Sequence, residues 1–305
     1  MCRHLAYLGP PAPLRSLLID PPHSLYRQAW APRLQRHGTV NADGFGIGWY
    51  AGGDPVPARY RRAVPIWGDL SLPDLARVTR SGAVLAAVRS ATEGTALGEA
   101  AAAPFGAGPW LFSHNGLLDG WPAAAAAIAE RAAPPGGRDS GPVLGGSSPQ
   151  PPGTAGAAAL LSLEAMVDSA FLWALVLERL RAGQAMDAAL AATIACVAAA
   201  GGTGRFNFLL TDGHSIAATA CGDTLWYRQA NEETGAPATG SPTTGSLAPG
   251  AAVVVASEPC DDEPGWTEVP DRHLLAATAR EVSVGPLAAV AGIRFAQRPP
   301  TVAAG

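Results

Sequence analysis

The sequence predicts an α+β fold, a sandwich of mainly antiparallel sheets, and three observations carry that expectation. Short apolar runs broken by Gly, Pro, Asn and Asp recur from His4 to Phe112 and again from Phe206 onward. Two helix-length stretches, Ser162 to Ala182 and Gln184 to Ala200, lie between those groups. The regular strand–helix alternation that a parallel doubly wound sheet requires is missing.

Taken in order, His4 to Gly9 is an apolar run stopped by Pro10-Pro11, hence a buried strand ending in a turn. Leu14 to Ile19 is a helical turn closed by Asp20-Pro21-Pro22. Asn41-Ala42-Asp43-Gly44 reads as a tight loop. After it, glycine alternates with large apolar residues as far as Tyr50, leaving one face bare enough for a backbone or ligand to approach. Ala83 to Val88 is a buried strand that delivers Arg89 at its end. Trp110 to Phe112 is a strand stopped at Ser113-His114-Asn115-Gly116, where Asn-Gly has the composition of a hairpin turn. Asp168 precedes the most apolar part of the first long helix, and a capping role is its simplest reading.

Phe206 to Thr211 and Ser215 to Cys221 form a hairpin, with a third strand at Thr224 to Arg228. Ala251 to Ser257 resumes the sheet, and Glu258 to Asp262 reads as a solvated acidic turn without metal-loop spacing. Strands at 274–284 and 293–296 finish the chain. A single domain over 2–296 is expected, with flexible insertions at about 132–158 and 229–250 and a disordered tail at 297–305. The insertions are too poor in large apolar side chains to offset their ordering entropy.

Composition narrows the function. With 48 % apolar and 15 % charged residues, the 305-residue chain buries a sizeable core. A net charge of −4 gives no basic footprint for nucleic acid or an anionic membrane. Every basic side chain is arginine, which excludes Schiff-base and P-loop chemistry. Cys2, Cys196, Cys221 and Cys260 lack C-x-x-C spacing, so neither a disulfide framework, a metal site nor a cofactor is expected. Without an apolar leader or a run long enough to span a bilayer, the expected location is the cytoplasm.

The chemistry starts at Met1-Cys2-Arg3-His4. Removal of Met1 makes Cys2 the amino terminus, so one residue carries both a thiol and a free amine. Their reference pKa values, ~8.5 and ~7.7–8.0, both lie near working pH. A partly neutral amine can take the thiol proton, directly or through water, and the thiolate is the nucleophile. A side-chain amide beside an unshielded backbone N–H, as at Asn115-Gly116, suits an oxyanion hole.

Together, Cys2, the Gly-rich loop, Arg89 at a strand end, Asn115-Gly116 and Asp168 before a helix resemble the class II (N-terminal nucleophile) glutamine amidotransferases. The resemblance implies an N-terminal-nucleophile αββα sandwich: two packed, mainly antiparallel sheets flanked by helices. It implies that Cys2 attacks a γ-glutamyl amide, that Asn115 and Gly116 bind the oxyanion, that Arg89 holds the α-carboxylate and that Asp168 holds the α-ammonium. An arginine fork suits a carboxylate.

Several further segments, in this order, are similar to one branch of that family, the γ-glutamyl-hercynylcysteine S-oxide hydrolases of ergothioneine biosynthesis. They are Cys2-Arg3-His4-Leu5, Asp20-Pro21-Pro22-His23, His37-Gly38 with Asn41-Ala42-Asp43-Gly44, Val88 to Thr92, His114-Asn115-Gly116, Cys221 to Thr224, Ala256 to Pro259 and Val269 to Leu274. His37, Asn41, Asp43, Gly44 and Thr92 join the expected substrate site on that basis. Trp67 joins them as an aromatic face for a trimethylated cation, ahead of Trp30, Trp49 and Trp121. Ser90 and Glu93 depart from the broader pattern, which has Trp and His there, and no synthase-like domain accompanies the sequence. The expected substrate is a small γ-glutamyl amide, with no obligatory protein partner. The rival expectations are ammonia delivery to a separate synthase, a non-catalytic scaffold of the same fold and a thiol-dependent metal-binding protein.

Overall fold

The computed structural model describes residues 2–92, 95, 97–132, 163–230 and 250–287. Glu93, the expected strand at 293–296, the tail at 297–305 and most of the two expected insertions lie outside the described residues.

Thirteen strands among the described residues form two antiparallel sheets. The first has the order β11 (Thr267–Glu268), β9 (Trp226–Ala230), β10 (Ala252–Ala256), β1 (Arg3–Pro13), β4 (Arg80–Val88), β2 (Phe45–Trp49), β3 (Ala58–Arg62). The second runs β13 (Val282–Pro286), β12 (His273–Ala277), β8 (Ile216–Ala220), β7 (Gly204–Thr211), β6 (Trp110–Leu118), β5 (Phe105–Ala107). Helices α1 (Leu14–Leu18), α2 (Leu25–Gln28) and α3 (Leu72–Val78) cover the first sheet, and α4 (Ala123–Ala132), α5 (Asp168–Arg181) and α6 (Met186–Ala199) the second. This is the expected αββα sandwich.

Strand alternation explains the layers. Along β1, Leu5 and Tyr7 pack outward with Leu14, Leu18 and Leu72, while Ala6 and Leu8 pack inward with Leu85, Leu111 and Leu209 of the facing layers. On the other outer face, Phe112, Phe206 and Phe208 meet Phe171, Leu172 and Leu190 of α5 and α6. Truncating such a fully buried side chain to alanine costs about 2–5 kcal/mol. The bare face of β2 serves close sheet packing: a Cβ on Gly46 would run into the Ala103 carbonyl oxygen, and one on Gly48 would lie 2.6 Å from Leu111 Cδ1.

Several expectations are corrected. β1 does not stop at Gly9; it passes Pro10-Pro11 through a register irregularity between Leu8 and Ala12 and continues to Pro13. β6 runs straight through Asn115-Gly116, paired with Asn207 and Phe206, and the chain turns only at Asp119-Gly120. Helix α5 starts at Asp168, not Ser162. The strand after the β7–β8 hairpin crosses into the first sheet as β9. The 274–284 segment is a hairpin, β12–β13, and not one strand. The acidic turn is solvated only at Asp262: Glu258 is fully buried and Asp261 nearly so. Glu258 accepts from the Arg33 and Leu34 N–H groups at 2.9 and 2.7 Å and faces Arg3 at 3.6 Å. Asp261 pairs with Arg228 at 2.6 Å and accepts from Trp266 Nε1 at 2.8 Å.

Candidate active site

The end of β1 sets the position of Cys2. Arg3 is in register with Val88, so Cys2 arrives beside Arg89, the residue that follows β4. Its Sγ lies 3.9 Å from the Ser90 carbonyl oxygen. Asp43 and Gly44 clamp this segment: the Arg89 N–H donates to the Gly44 oxygen (2.8 Å), the Asp43 N–H to the Arg89 oxygen (2.9 Å), and the Ala91 N–H to Asp43 Oδ2 (2.7 Å). The Arg89 guanidinium, itself buried, reaches the Asp43 carbonyl at 3.5 Å and Thr95 Oγ1 at 3.3 Å. Gly44 sits at φ +134°, and a Cβ there would lie 2.9 Å from the Arg62 oxygen, so the clamp needs glycine.

The facing sheet contributes Asn115 and Gly116. Asn115 is fully buried; its Nδ2 donates to Ser257 Oγ over a long 3.4 Å, and its Oδ1 has no partner. That amide is therefore weakly committed within the fold. Gly116 is required because a Cβ would collide with the Arg205 carbonyl oxygen and with His114 Nε2. Asp168, first residue of α5, accepts from the Leu118 N–H at 2.9 Å and the Ser169 N–H at 2.7 Å. Among the described residues no cation pairs with it.

Cys2, Arg89, Thr92, Gly116 and Asp168 line one cavity, with Ala101, Ala103 and Phe105 as its apolar wall. Burial pushes the Cys2 thiol above its ordinary value; the positive amino terminus and Arg89 pull it back, while Asp168 adds to the rise. A thiol in such a place depends on a base to become a thiolate. Among the described residues no group of three or more His, Cys, Asp or Glu is arranged to hold a metal ion. None of their helices is long and apolar enough to cross a membrane.

Six expected site residues are not part of the cavity lining: Asn115, which immediately precedes the lining residue Gly116, Asp43 and Gly44, which clamp Arg89, and Asn41, His37 and Trp67. Asn41 is fully buried, with Nδ2 donating to the Gln28 carbonyl (3.0 Å) and Gln35 Oε1 (2.9 Å). His37 is exposed on the loop before Asn41, within electrostatic range of Arg205, Asp223 and the amino terminus. Trp67 is partly exposed and meets Trp30 edge-on, ring centroids 5.5 Å apart.

The structure also brings in residues that sequence reasoning did not single out. His114 lines the cavity; its Nε2 pairs with the Arg205 carbonyl at 2.9 Å and its Nδ1 with Ser169 Oγ at 3.0 Å. A carbonyl only accepts, so the proton sits on Nε2 and the Ser169 hydroxyl donates to Nδ1. Burial keeps His114 below its usual range and holds the neighbouring His4 down at about 3. The available signal was adjacency, since His114 precedes Asn115 and Ser169 follows Asp168.

Residues 24–145 match the family described as class-II glutamine amidotransferases. The gamma-glutamyl-hercynylcysteine sulfoxide hydrolase of Mycolicibacterium smegmatis is 39 % identical over 287 residues, covering 94 % of this chain and 100 % of that protein. The protein of the same name from Mycobacterium tuberculosis (strain CDC 1551 / Oshkosh) is 38 % identical over 294 residues, covering 96 % and 100 %. Among solved structures, a glutamine aminotransferase class-II domain protein from Silicibacter pomeroyi superposes with a TM-score of 0.55 at 21 % identity, covering 94 % of this chain and 99 % of that one, a likeness of fold.

Proposed function

The chain belongs to the class-II glutamine amidotransferase family, among the gamma-glutamyl-hercynylcysteine sulfoxide hydrolases, and we propose on that premise that it cleaves the γ-glutamyl amide of γ-glutamyl-hercynylcysteine S-oxide. The products are glutamate and hercynylcysteine S-oxide, in ergothioneine biosynthesis. The observation that carries this reading is the meeting of Cys2, Arg89, Gly116 and Asp168 in a single cavity.

Removal of Met1 frees the Cys2 amine. That amine takes the thiol proton, and the thiolate attacks the γ-carbonyl while the Asn115 amide and the Gly116 N–H hold the developing oxyanion. Arg89 receives the α-carboxylate and Asp168 the α-ammonium, which fixes the glutamyl head against the nucleophile. The C–N bond breaks as the protonated amine gives its proton to the leaving nitrogen, forming a Cys2 thioester. Water, deprotonated by the same amine, then adds to the thioester, and loss of the thiolate releases glutamate.

Asp43 and Gly44 support Arg89, and Thr92 borders the glutamyl head. The Trp30–Trp67 pair offers aromatic faces for the trimethylated cation. The reaction proceeds in the cytoplasm on one domain spanning residues 2–296, without a cofactor or an obligatory protein partner. The rival reading is ammonia delivery from glutamine. Parallel incubations decide between them: release of glutamate from the sulfoxide substrate much faster than from glutamine is expected. Brisk glutaminase activity, raised further by a partner synthase, would overturn the assignment.

A further inference from the structure

Beyond Gly116, on the side away from Arg89, lies a group of cations that the glutamyl head does not use. Arg205 is rooted on β7, in register with Leu117, so it starts one strand away from the expected oxyanion hole. Its backbone is tightly fixed, because its carbonyl oxygen meets His114 Nε2 and leaves no room for a side chain on residue 116. Its side chain crosses Gly222, where a Cβ would lie 2.7 Å from Arg205 Cγ. Nε then donates to Asp223 Oδ2 at 3.1 Å, and Asp223 is almost fully buried.

Asp223 is itself locked. Its N–H donates to Asn207 Oδ1 at 3.2 Å and its carbonyl accepts from Asn207 Nδ2 at 3.0 Å, and Asn207 is the cross-strand partner of Asn115. Arg205 is thus held by one edge. Its two Nη atoms have no hydrogen-bond partner among the described residues and are not sealed from solvent. Nearby, Arg36 Nη1 is enclosed without a partner, and so are Nε and Nη2 of Arg3, apart from the 3.6 Å approach of Nη2 to Glu258. His37, next to Arg36, lies within electrostatic range of Arg205, Asp223 and the amino terminus, which brings this loop over the same spot. Arg205 and Arg3 both act on the buried Asp223, and Arg36 acts on Arg3 and His37, so positive charge gathers here beyond what Asp223 and Glu258 offset, which favours an incoming anion.

We propose that Arg205, oriented by Asp223 and flanked by Arg36, receives the carboxylate of the departing amine, so that the site is built for γ-glutamyl amides whose leaving nitrogen is the α-amine of an amino acid. This deepens the hydrolase reading and rests on it. In such a substrate the second carboxylate stands two bonds from the scissile nitrogen. Adjacent strands are ~4.8 Å apart, so an arginine rooted one strand from the oxyanion hole reaches that carboxylate, whereas glutamine, which releases ammonia, has nothing to offer it.

The test compares γ-glutamyl-S-methylcysteine S-oxide with its C-terminal carboxamide, which differ only in that carboxylate. The readout is kcat/KM, or Ki against the natural substrate where turnover is too slow. The wild-type chain prefers the acid by about tenfold to a hundredfold, the range of a charge-assisted hydrogen-bonded pair. Arg205→Gln brings the ratio to within about twofold, and Arg205→Lys, which keeps the charge but loses the fork, falls between. A wild-type ratio near one, or a full preference persisting in Arg205→Gln, overturns the proposal. Should Arg205→Gln not fold, the wild-type ratio and the Arg36→Gln ratio still decide it. If neither peptide binds or reacts while the hercynyl substrate is hydrolysed, the second carboxylate is not what the site reads and the proposal fails alone. If no γ-glutamyl compound is hydrolysed, the underlying reading fails with it.

Discussion

Two buried carboxylates, Glu258 after β10 and Asp168 at the start of α5, look alike in burial and differ in company. Each accepts two backbone N–H groups. Glu258 also faces Arg3, whereas Asp168 faces a cavity and has no cationic partner among the described residues. A buried charge needs compensation. Glu258 is compensated from within the fold and ties the 33–34 loop to the root of the Cys2 strand. Asp168 is held ready by amide dipoles and takes its counter-charge from the substrate. The difference separates a carboxylate that builds the protein from one that reads a ligand.

Substitutions can break or sharpen that contrast, and the largest effect belongs to the nucleophile both regions serve. Cys2→Ala lowers steady-state hydrolysis by at least about 10⁴-fold without loss of thermal stability. Asn115→Ala lowers kcat by about 10²–10³-fold, with KM little changed, in the same assay. Asp168→Asn raises KM and lowers kcat/KM by roughly 10- to 100-fold, the worth of a charge-assisted contact. With a substrate that lacks the α-amino group the loss shrinks to a few-fold; an equal loss on both substrates would mean that Asp168 only shapes the fold. Glu258→Gln does the opposite: it leaves kcat/KM of the folded protein within about threefold, but leaves Arg3 uncompensated and destabilises by about 3–5 kcal/mol in urea unfolding.

The smallest effect is a pH dependence of stability at the same end of the sandwich. His4 is held neutral down to about 3, and His114 is likewise lowered, both chiefly by burial. Below pH ~6.5 the unfolded chain takes up protons that the folded chain refuses, so stability falls from there toward pH 3. His4→Asn removes part of that slope, measured by urea unfolding between pH 7 and pH 4; an unchanged slope would show that other groups dominate.

How much was legible in the sequence follows from how local each signal is. Leu5, Tyr7 and their alternating partners announce β1, and the apolar run ending at Val88 places Arg89 at a strand end. Those two facts put the nucleophile beside its carboxylate-binding arginine. Asn115-Gly116 was misread as a turn because local composition favours one; a strand there depends on Asn207 and Phe206, about ninety positions away. Glu258 was misread as solvated because Arg3, which neutralises it, lies at the other end of the sequence. Asp168 was read locally as a cap, and only the sandwich turns it toward the cavity. Arg205 carries no local signal, because its position beside Gly116 exists only through strand pairing.

The central claim is that one residue supplies both the attacking sulfur and its proton carrier. Intact and peptide mass spectrometry of the purified protein, quenched shortly after mixing with γ-glutamyl substrate, tests it most directly. The expected spectrum shows a chain lacking Met1 and carrying one glutamyl group on Cys2, an adduct absent from Cys2→Ala. Full activity in protein that still begins with Met1, or a glutamyl group found on any other residue, would contradict it.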